Sequence, residues 1–136
     1  MINLEYFGSE GMDTMRQRSA EILCIGTEIL MGDIVNTNAA YIAKELAGLG
    51  INVYHQSVVG DNPQRLREAL ELAFSRADIV ITTGGLGPTY DDLSKETIAA
   101  FFGRELVMDQ KSLHRIECHF LRQNRPMTEN NKKQAM

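Results

Sequence analysis

The feature that most narrows what this chain can fold into is the alternation of two hydrophobic periods along residues 21–122. Three short apolar or β-branched runs, residues 21–25 (EILCI), 51–59 (INVYHQSVV) and 78–83 (DIVITT), read as strands. Helical patterns lie between them. Residues 38–49 place Ile42, Leu46 and Leu49 on one stripe and close on Gly50. Residues 63–77 open on a proline, which the first turn tolerates, and repeat Leu66, Leu70, Phe74 and Ala77 at helical spacing. Further on, residues 93–102 form a third helix stopped by Gly103, and residues 105–107 form a short strand. Asp109 then caps a fourth helix carrying Leu113, Ile116 and Phe120. This order predicts an α/β fold: a three-layer, doubly wound, mainly parallel sheet with right-handed crossovers and helices on both faces.

The chain ends frame that domain. Residues 1–18 hold no sustained period, contain Met12 and Met15 as alternative starts, and are expected to be a flexible extension. Residues 19–136 make one domain, since 136 residues allow a single core. The tail, residues 123–136, is polar, Pro126 breaks the preceding helix, and no strand follows. The sheet is therefore expected to be incomplete at its carboxyl end. Composition removes other classes. With 43% hydrophobic and 24% charged residues the chain is an ordinary folded one. A net charge of −4 is opposite to the basic footprint of a phosphate-backbone binder, so nucleic acid is not an expected partner. No apolar run approaches the ~18 residues of a membrane span and no signal-peptide order opens the chain, so the expectation is a cytoplasmic protein without a membrane partner. Cys24 and Cys118 are too few for a disulfide framework and read as small hydrophobes. His114 and Cys118 stand four apart on one helix, a spacing that suits zinc, but a third ligand at matching spacing is missing.

In such a sheet, ligands sit beyond the carboxyl ends of the strands, which directs attention to residues 26–37, 60–62 and 84–92. The strongest local signal is residues 84–92 (GGLGPTYDD), between a strand and a helix. Gly84, Gly85 and Gly87 allow a ligand close to the backbone, and the following helix offers unpaired N–H groups to an anion. It is not a Walker loop, because no Lys-Ser/Thr pair follows. It is not the dinucleotide fingerprint either, because Tyr90 stands where the third glycine would be. Two adjacent carboxylates, Asp91 and Asp92, repel a phosphate unless a cation lies between, which suggests a divalent metal bridging carboxylate and phosphate. The plainer reading is that Thr89 and one aspartate cap the helix. Residues 26–38 are dense in hydroxyl, carboxylate and amide groups and would form a second wall; the plainer reading there is that Gly26 and Gly32 turn the chain while Asn36 or Asn38 caps the next helix. Asp61 ends a strand, with capping of the helix at Pro63 as its plainer role.

Together, residues 84–92, 26–32 (GTEILMG) and 59–62 (VGDN) resemble the molybdopterin-binding, or molybdenum-cofactor-biosynthesis, domain family. Within it they are most similar to the amino-terminal domain of CinA-type proteins, and the likeness covers residues 20–136. The resemblance implies that the loop with Gly84, Gly85, Gly87 and Thr89 binds a ligand phosphate and that Asp61 and Asp92 are the aspartates important for activity, Asp92 more than Asp91. It also implies that Thr27, Glu28 and Asn38 line the same pocket. The implied activity is metal-dependent hydrolysis of a nucleotide pyrophosphate such as ADP-ribose, with the divalent cation held by Asp61, Asp91 and Asp92. The alternatives are a domain that binds or transfers a pterin phosphate, and a catalytically silent domain that only assembles. A homo-oligomer is expected, and the alanine-rich face of residues 38–49 suits either a second subunit or close packing on the sheet. The resemblance implies that family members continue with a further strand and a second Gly/Pro loop beyond the position of Met136.

Overall fold

The computed structural model describes residues 17–87 and 93–136. Three strands, β1 (Ser19–Ile25), β2 (Asn52–Val59) and β3 (Ile79–Gly84), form one parallel sheet in the order β2-β1-β3. The sequence predicts that arrangement because each pair of successive strands is joined by an amphipathic helix long enough for a crossover. β1 is central: Ile25 pairs with Val59 on one side and with Gly84 on the other, so all three strands end at the same level.

Alternation along β1 divides the core between the two faces. Ala20, Ile22 and Cys24 pack with Ala39, Ile42, Ala43 and Leu46 of α2 (Thr37–Gly48). Leu23 and Ile25 pack with Val59 and with Leu66 and Leu70 of α3 (Pro63–Arg76), while Ile98 and Phe101 of α4 (Ser94–Phe101) close the same side. The alanine stripe of α2 is thus spent in part on the sheet: Ala39 is buried and Ala43 lies against the core. Small side chains there let helix and sheet approach closely. Two caps follow the sequence signals, and the third falls to Asn62 where the sequence offered Asp61. Asn36 accepts from Ala39 N at 3.2 Å, Asn62 from Arg65 N at 3.0 Å, and Asp109 from Ser112 N at 2.6 Å. Gly50, at φ +74°, ends the turn after α2.

Three expectations are corrected. Residues 26–38 are not all loop, because a five-residue helix α1 (Thr27–Met31) follows β1 directly and stops at Gly32, φ +80°. Residues 105–107 form no strand. They carry the chain from α4 to Asp109, whose N–H donates to Ala135 O instead of to a sheet edge, and Val107 is exposed. The polar tail is partly ordered, as α6 (Glu129–Lys132) and a 3₁₀ turn (Lys133–Ala135). Both pack on α5 (Gln110–Arg122), where Leu113, Ile116 and Phe120 recur at helical spacing and need cover; Ala135 is buried there. Lys95 of α4 ties down the turn by donating to Lys133 O and, at 3.4 Å, to Met136 O. No helix among the described residues is long and apolar enough to cross a membrane.

Candidate functional site at the strand ends

Because the three strands end level, the segments that leave them meet. Gly26, the residue after β1, donates its N–H to Val59 O at 2.9 Å, extending the β1–β2 ladder one step into the loop. The next residue, Thr27, sends both its backbone N–H and its hydroxyl to Asp61 Oδ2, each at 2.9 Å, and Thr27 Oγ1 accepts from Asp61 N at 3.2 Å. Two bonds therefore fix the Asp61 carboxylate against the start of α1, and a third ties its backbone N–H to the same hydroxyl. Among the described residues none reaches Asp61 Oδ1. Capping of α3 falls to Asn62, not Asp61. The helix-cap explanation of Asp61 is thereby removed, and one oxygen of an oriented carboxylate is left without a donor among the described residues.

The glycine loop joins from the other side of β1. Gly84 sits at φ +95°, and a Cβ on it would lie 1.9 Å from Ile25 O, so only glycine lets β3 end beside β1 in this way. Gly85, at φ +60°, would place a Cβ 1.8 Å from Ser94 Oγ and 3.1 Å from Ile25 Cγ2. The loop backbone thus lies directly over the end of β1 and the first residue of α4. Gly60 is similarly pressed, its absent Cβ falling 3.2 Å from Thr27 Oγ1. A small recess between the starts of α3 and α4 is lined by Ile25, Asp61, Asn62, Leu66 and Ser94 among others.

Of the sequence-derived site residues, Thr27, Asp61, Gly84 and Gly85 are brought together around Ile25. Glu28 lies exposed on the first turn of α1, its carboxylate curled against Gly26, where a Cβ would meet Oε1 at 2.5 Å. Asn38 is exposed on the first turn of α2 and takes no part in the Thr27–Asp61 bonds; the cap of α2 is Asn36, which also donates to Cys24 Sγ at 3.1 Å. Gly87 is half-buried at the edge of the described loop, and Thr89, Asp91 and Asp92 lie outside the described residues. Among the described residues no three His, Cys, Asp or Glu side chains gather as a metal site. His114 does lie 3.6 Å from Cys118, with Glu117 at 3.9 Å from its other nitrogen, on a single exposed helix face. Sequence reasoning missed Ser94, buried beneath Gly85, and Glu96, one of whose carboxylate oxygens is enclosed without a partner among the described residues. The signal for Ser94 was present: a small polar residue at the first position of the helix that follows the glycine loop.

Comparison with known proteins places this geometry. The family model for a probable molybdopterin binding domain matches residues 21–131. Over 117 residues, 85% of this chain, the sequence is 67% identical to a competence-damage inducible protein of Clostridium kluyveri, and over 116 residues it is 65% identical to one of Clostridium botulinum. This chain spans 28% of the length of either relative. The crystal structure of the protein CinA from Thermoplasma acidophilum, described as of unknown function, superposes with a TM-score of 0.76 at 34% identity. That match covers 88% of this chain and 69% of the other. The molybdopterin biosynthesis enzyme MoaB of Thermus thermophilus follows with a TM-score of 0.60 at 26% identity, covering 66% of this chain and 58% of its own.

Proposed function

Since the chain belongs to the molybdopterin-binding domain family, and within it to the CinA-like members, we propose that its strand-end site binds a nucleotide through a pyrophosphate and hydrolyses that pyrophosphate, as in ADP-ribose, with the help of a divalent cation. The observation that carries this reading is the state of Asp61. It is held by Thr27 through Oδ2, released from capping duty by Asn62, and left with Oδ1 without a donor among the described residues, beside the loop that begins at Gly84 and Gly85.

Each residue then has a task. Gly84 and Gly85 let the loop press onto Ile25 and Ser94, which sets its backbone over the amino end of α4, where a phosphate would meet a positive dipole end. Thr27 keeps the Asp61 carboxylate from swinging into solvent, so that Oδ1 is oriented before the ligand arrives. A carboxylate oxygen suits a hard divalent ion, and Asp61 with Asp91 and Asp92 would supply such donors. When bound, the ion offsets the charge that builds on the pyrophosphate oxygens in the transition state. A second reading, binding or transfer of a pterin phosphate at the same loops, is supported by the likeness to MoaB. A homo-oligomer and a cytoplasmic location belong to the proposal as well.

Asp61→Asn separates charge from scaffold. The amide oxygen still accepts from Thr27, so the melting temperature should fall by only a few degrees, whereas release of AMP from ADP-ribose in the presence of magnesium or manganese should drop by about 100-fold or more. Retention of most of that turnover in a folded Asp61→Asn protein would remove Asp61 from the chemistry. Absence of any metal-dependent AMP release by the wild type, together with saturable binding of a pterin monophosphate, would favour the second reading.

A further inference from the structure

One face of α5 holds a pair of side chains that the strand-end site does not use. His114 and Cys118 stand one turn apart, with the imidazole Nε2 3.6 Å from the thiol Sγ. The His114 side chain is 77% exposed and Cys118 is half-buried. A thiol is a weak hydrogen-bonding group, so that bond alone gives an exposed imidazole little reason to lie along its own helix when water is available. The separation also matches a coordination edge. A tetrahedral zinc ion, with bonds of about 2.05 Å to nitrogen and about 2.3 Å to sulfur, holds those two atoms about 3.6 Å apart. Helical spacing has thus set a nitrogen and a sulfur at the bite of a tetrahedral ion.

The neighbours of the pair agree with that use. Glu117 Oε2 lies 3.9 Å from Nδ1, the other ring nitrogen of His114. A carboxylate on that side favours the tautomer that carries its proton on Nδ1, which leaves the Nε2 lone pair on the side of the sulfur. Metal-bound histidines are commonly oriented by such a partner. His119, one residue on from Cys118, is engaged instead by Gln123 at 3.0 Å. No third His, Cys, Asp or Glu joins the pair among the described residues, so the chain supplies two of four positions and water takes the others. Thiolate and imidazole together suit zinc and its neighbours in the transition series, whereas magnesium and calcium prefer oxygen.

Independently of the reading of the strand-end loops, we propose that His114 and Cys118 form a two-residue chelate on α5 for a thiophilic divalent ion of the zinc type, with Glu117 orienting the imidazole. Binding forms one nitrogen–metal and one sulfur–metal bond in place of two waters on the ion, and the thiol proton passes to solvent.

The test is titration of the purified, reduced chain with cobalt(II), which replaces zinc in such sites and absorbs light. A cobalt–thiolate charge-transfer band should appear and saturate; zinc should abolish it by displacement and magnesium should not. The chain has two cysteines and Cys24 is fully buried, so the band reports Cys118. Cys118→Ser should remove the band. Glu117→Gln should weaken cobalt binding by about tenfold, and His114→Gln, which deletes a ligand outright at an exposed position, by more. Circular dichroism checks that each variant is folded. One ion per two chains would support the chelate as a bridge in which the pair of a second copy takes the water positions. Absence of a charge-transfer band at millimolar cobalt, or unchanged affinity in folded His114→Gln, would overturn the proposal, and unchanged affinity in Glu117→Gln would overturn its orienting role. None of these results alters the test of Asp61, because the pair shares no residue with the strand-end site.

Discussion

Glu21 lies at the opposite end of β1 from the candidate site, and its substitution by glutamine gives a quantitative check on how the fold is held. The side chain is 1% exposed. Arg76, the last residue of α3, grips it with both arms, Nε to Oε2 and Nη2 to Oε1 at 2.8 Å each, and Ser57 Oγ of β2 donates to Oε1 at 2.6 Å. One carboxylate thus joins the central strand, an edge strand and the end of a crossover helix. Glu21→Gln turns one accepting oxygen into a donor that faces another donor, either the guanidinium or the Ser57 hydroxyl. Breaking a fully buried pair costs about 3–5 kcal/mol; the Arg76 side chain is 31% exposed and can turn to water, which brings the expected loss to about 2–3 kcal/mol. For a domain of this size that corresponds to a fall in melting temperature of roughly 8–12 °C.

The same pair sets a pH signature. The hydrogen bond from Arg76 holds the Glu21 carboxyl below its ordinary value of 4.5, against the opposing pull of burial and with help from Ser57. A carboxyl with a depressed folded-state pKa contributes stability that is complete above the unfolded value and is lost as pH falls through the folded one. The stability gap between wild type and Glu21→Gln should therefore be constant near neutrality and narrow below about pH 4.5. Thermal melts across pH, with a double-mutant cycle through Arg76→Leu, measure both effects. A melting shift under about 3 °C at pH 7, or a coupling energy near zero, would refute the argument that this ion pair pins α3 to the sheet.

Two further substitutions probe the site's scaffold. Gly84→Ala should lower stability by about 3–5 kcal/mol, the sum of a left-handed backbone penalty and a Cβ driven into the Ile25 carbonyl, and thermal denaturation would expose the error if the variant melted like the wild type. Asn62→Ala removes the cap of α3 and should cost about 1 kcal/mol by chemical denaturation; ADP-ribose turnover per folded molecule should hold, and a collapse of turnover would move the chemical role from Asp61 to Asn62.

What could be read in the sequence was whatever short-range chemistry determines. The strands and crossover helices follow from period, and the caps Asn36 and Asp109 follow from residue type beside a helical run, because each depends on neighbours within one turn; the cap of α3 was offered at Asp61 and lies one residue on, at Asn62. The failures share a different physics. Residues 105–107 look like a strand, yet a strand exists only if an edge receives it, and the N–H of Asp109 went to Ala135, 26 positions later. The tail has no period of its own and is ordered by the apolar face of α5 that it covers. Helix α1, five residues long, is too short for a periodic signal to accumulate.

The candidate site divides along the same line. Glycines and aspartates announced that something binds at the strand ends, but the sequence left Asp61 between cap and ligand. Only the long-range bonds to Thr27, 34 positions away, separate those roles. Glu96 is the harder case, because a glutamate in the first turn of a helix is favoured by the dipole wherever it occurs and carries no sign of function. Its enclosure without a donor among the described residues is a property of packing, not of the helical turn it sits in. The same holds for Glu21, a lone charge in a strand that would count against the strand if its partner 55 positions away were not known. Buried charge in this chain is therefore resolved only by the fold. In Glu21 the fold supplies the partner, and in Glu96 it encloses one carboxylate oxygen without a donor among the described residues.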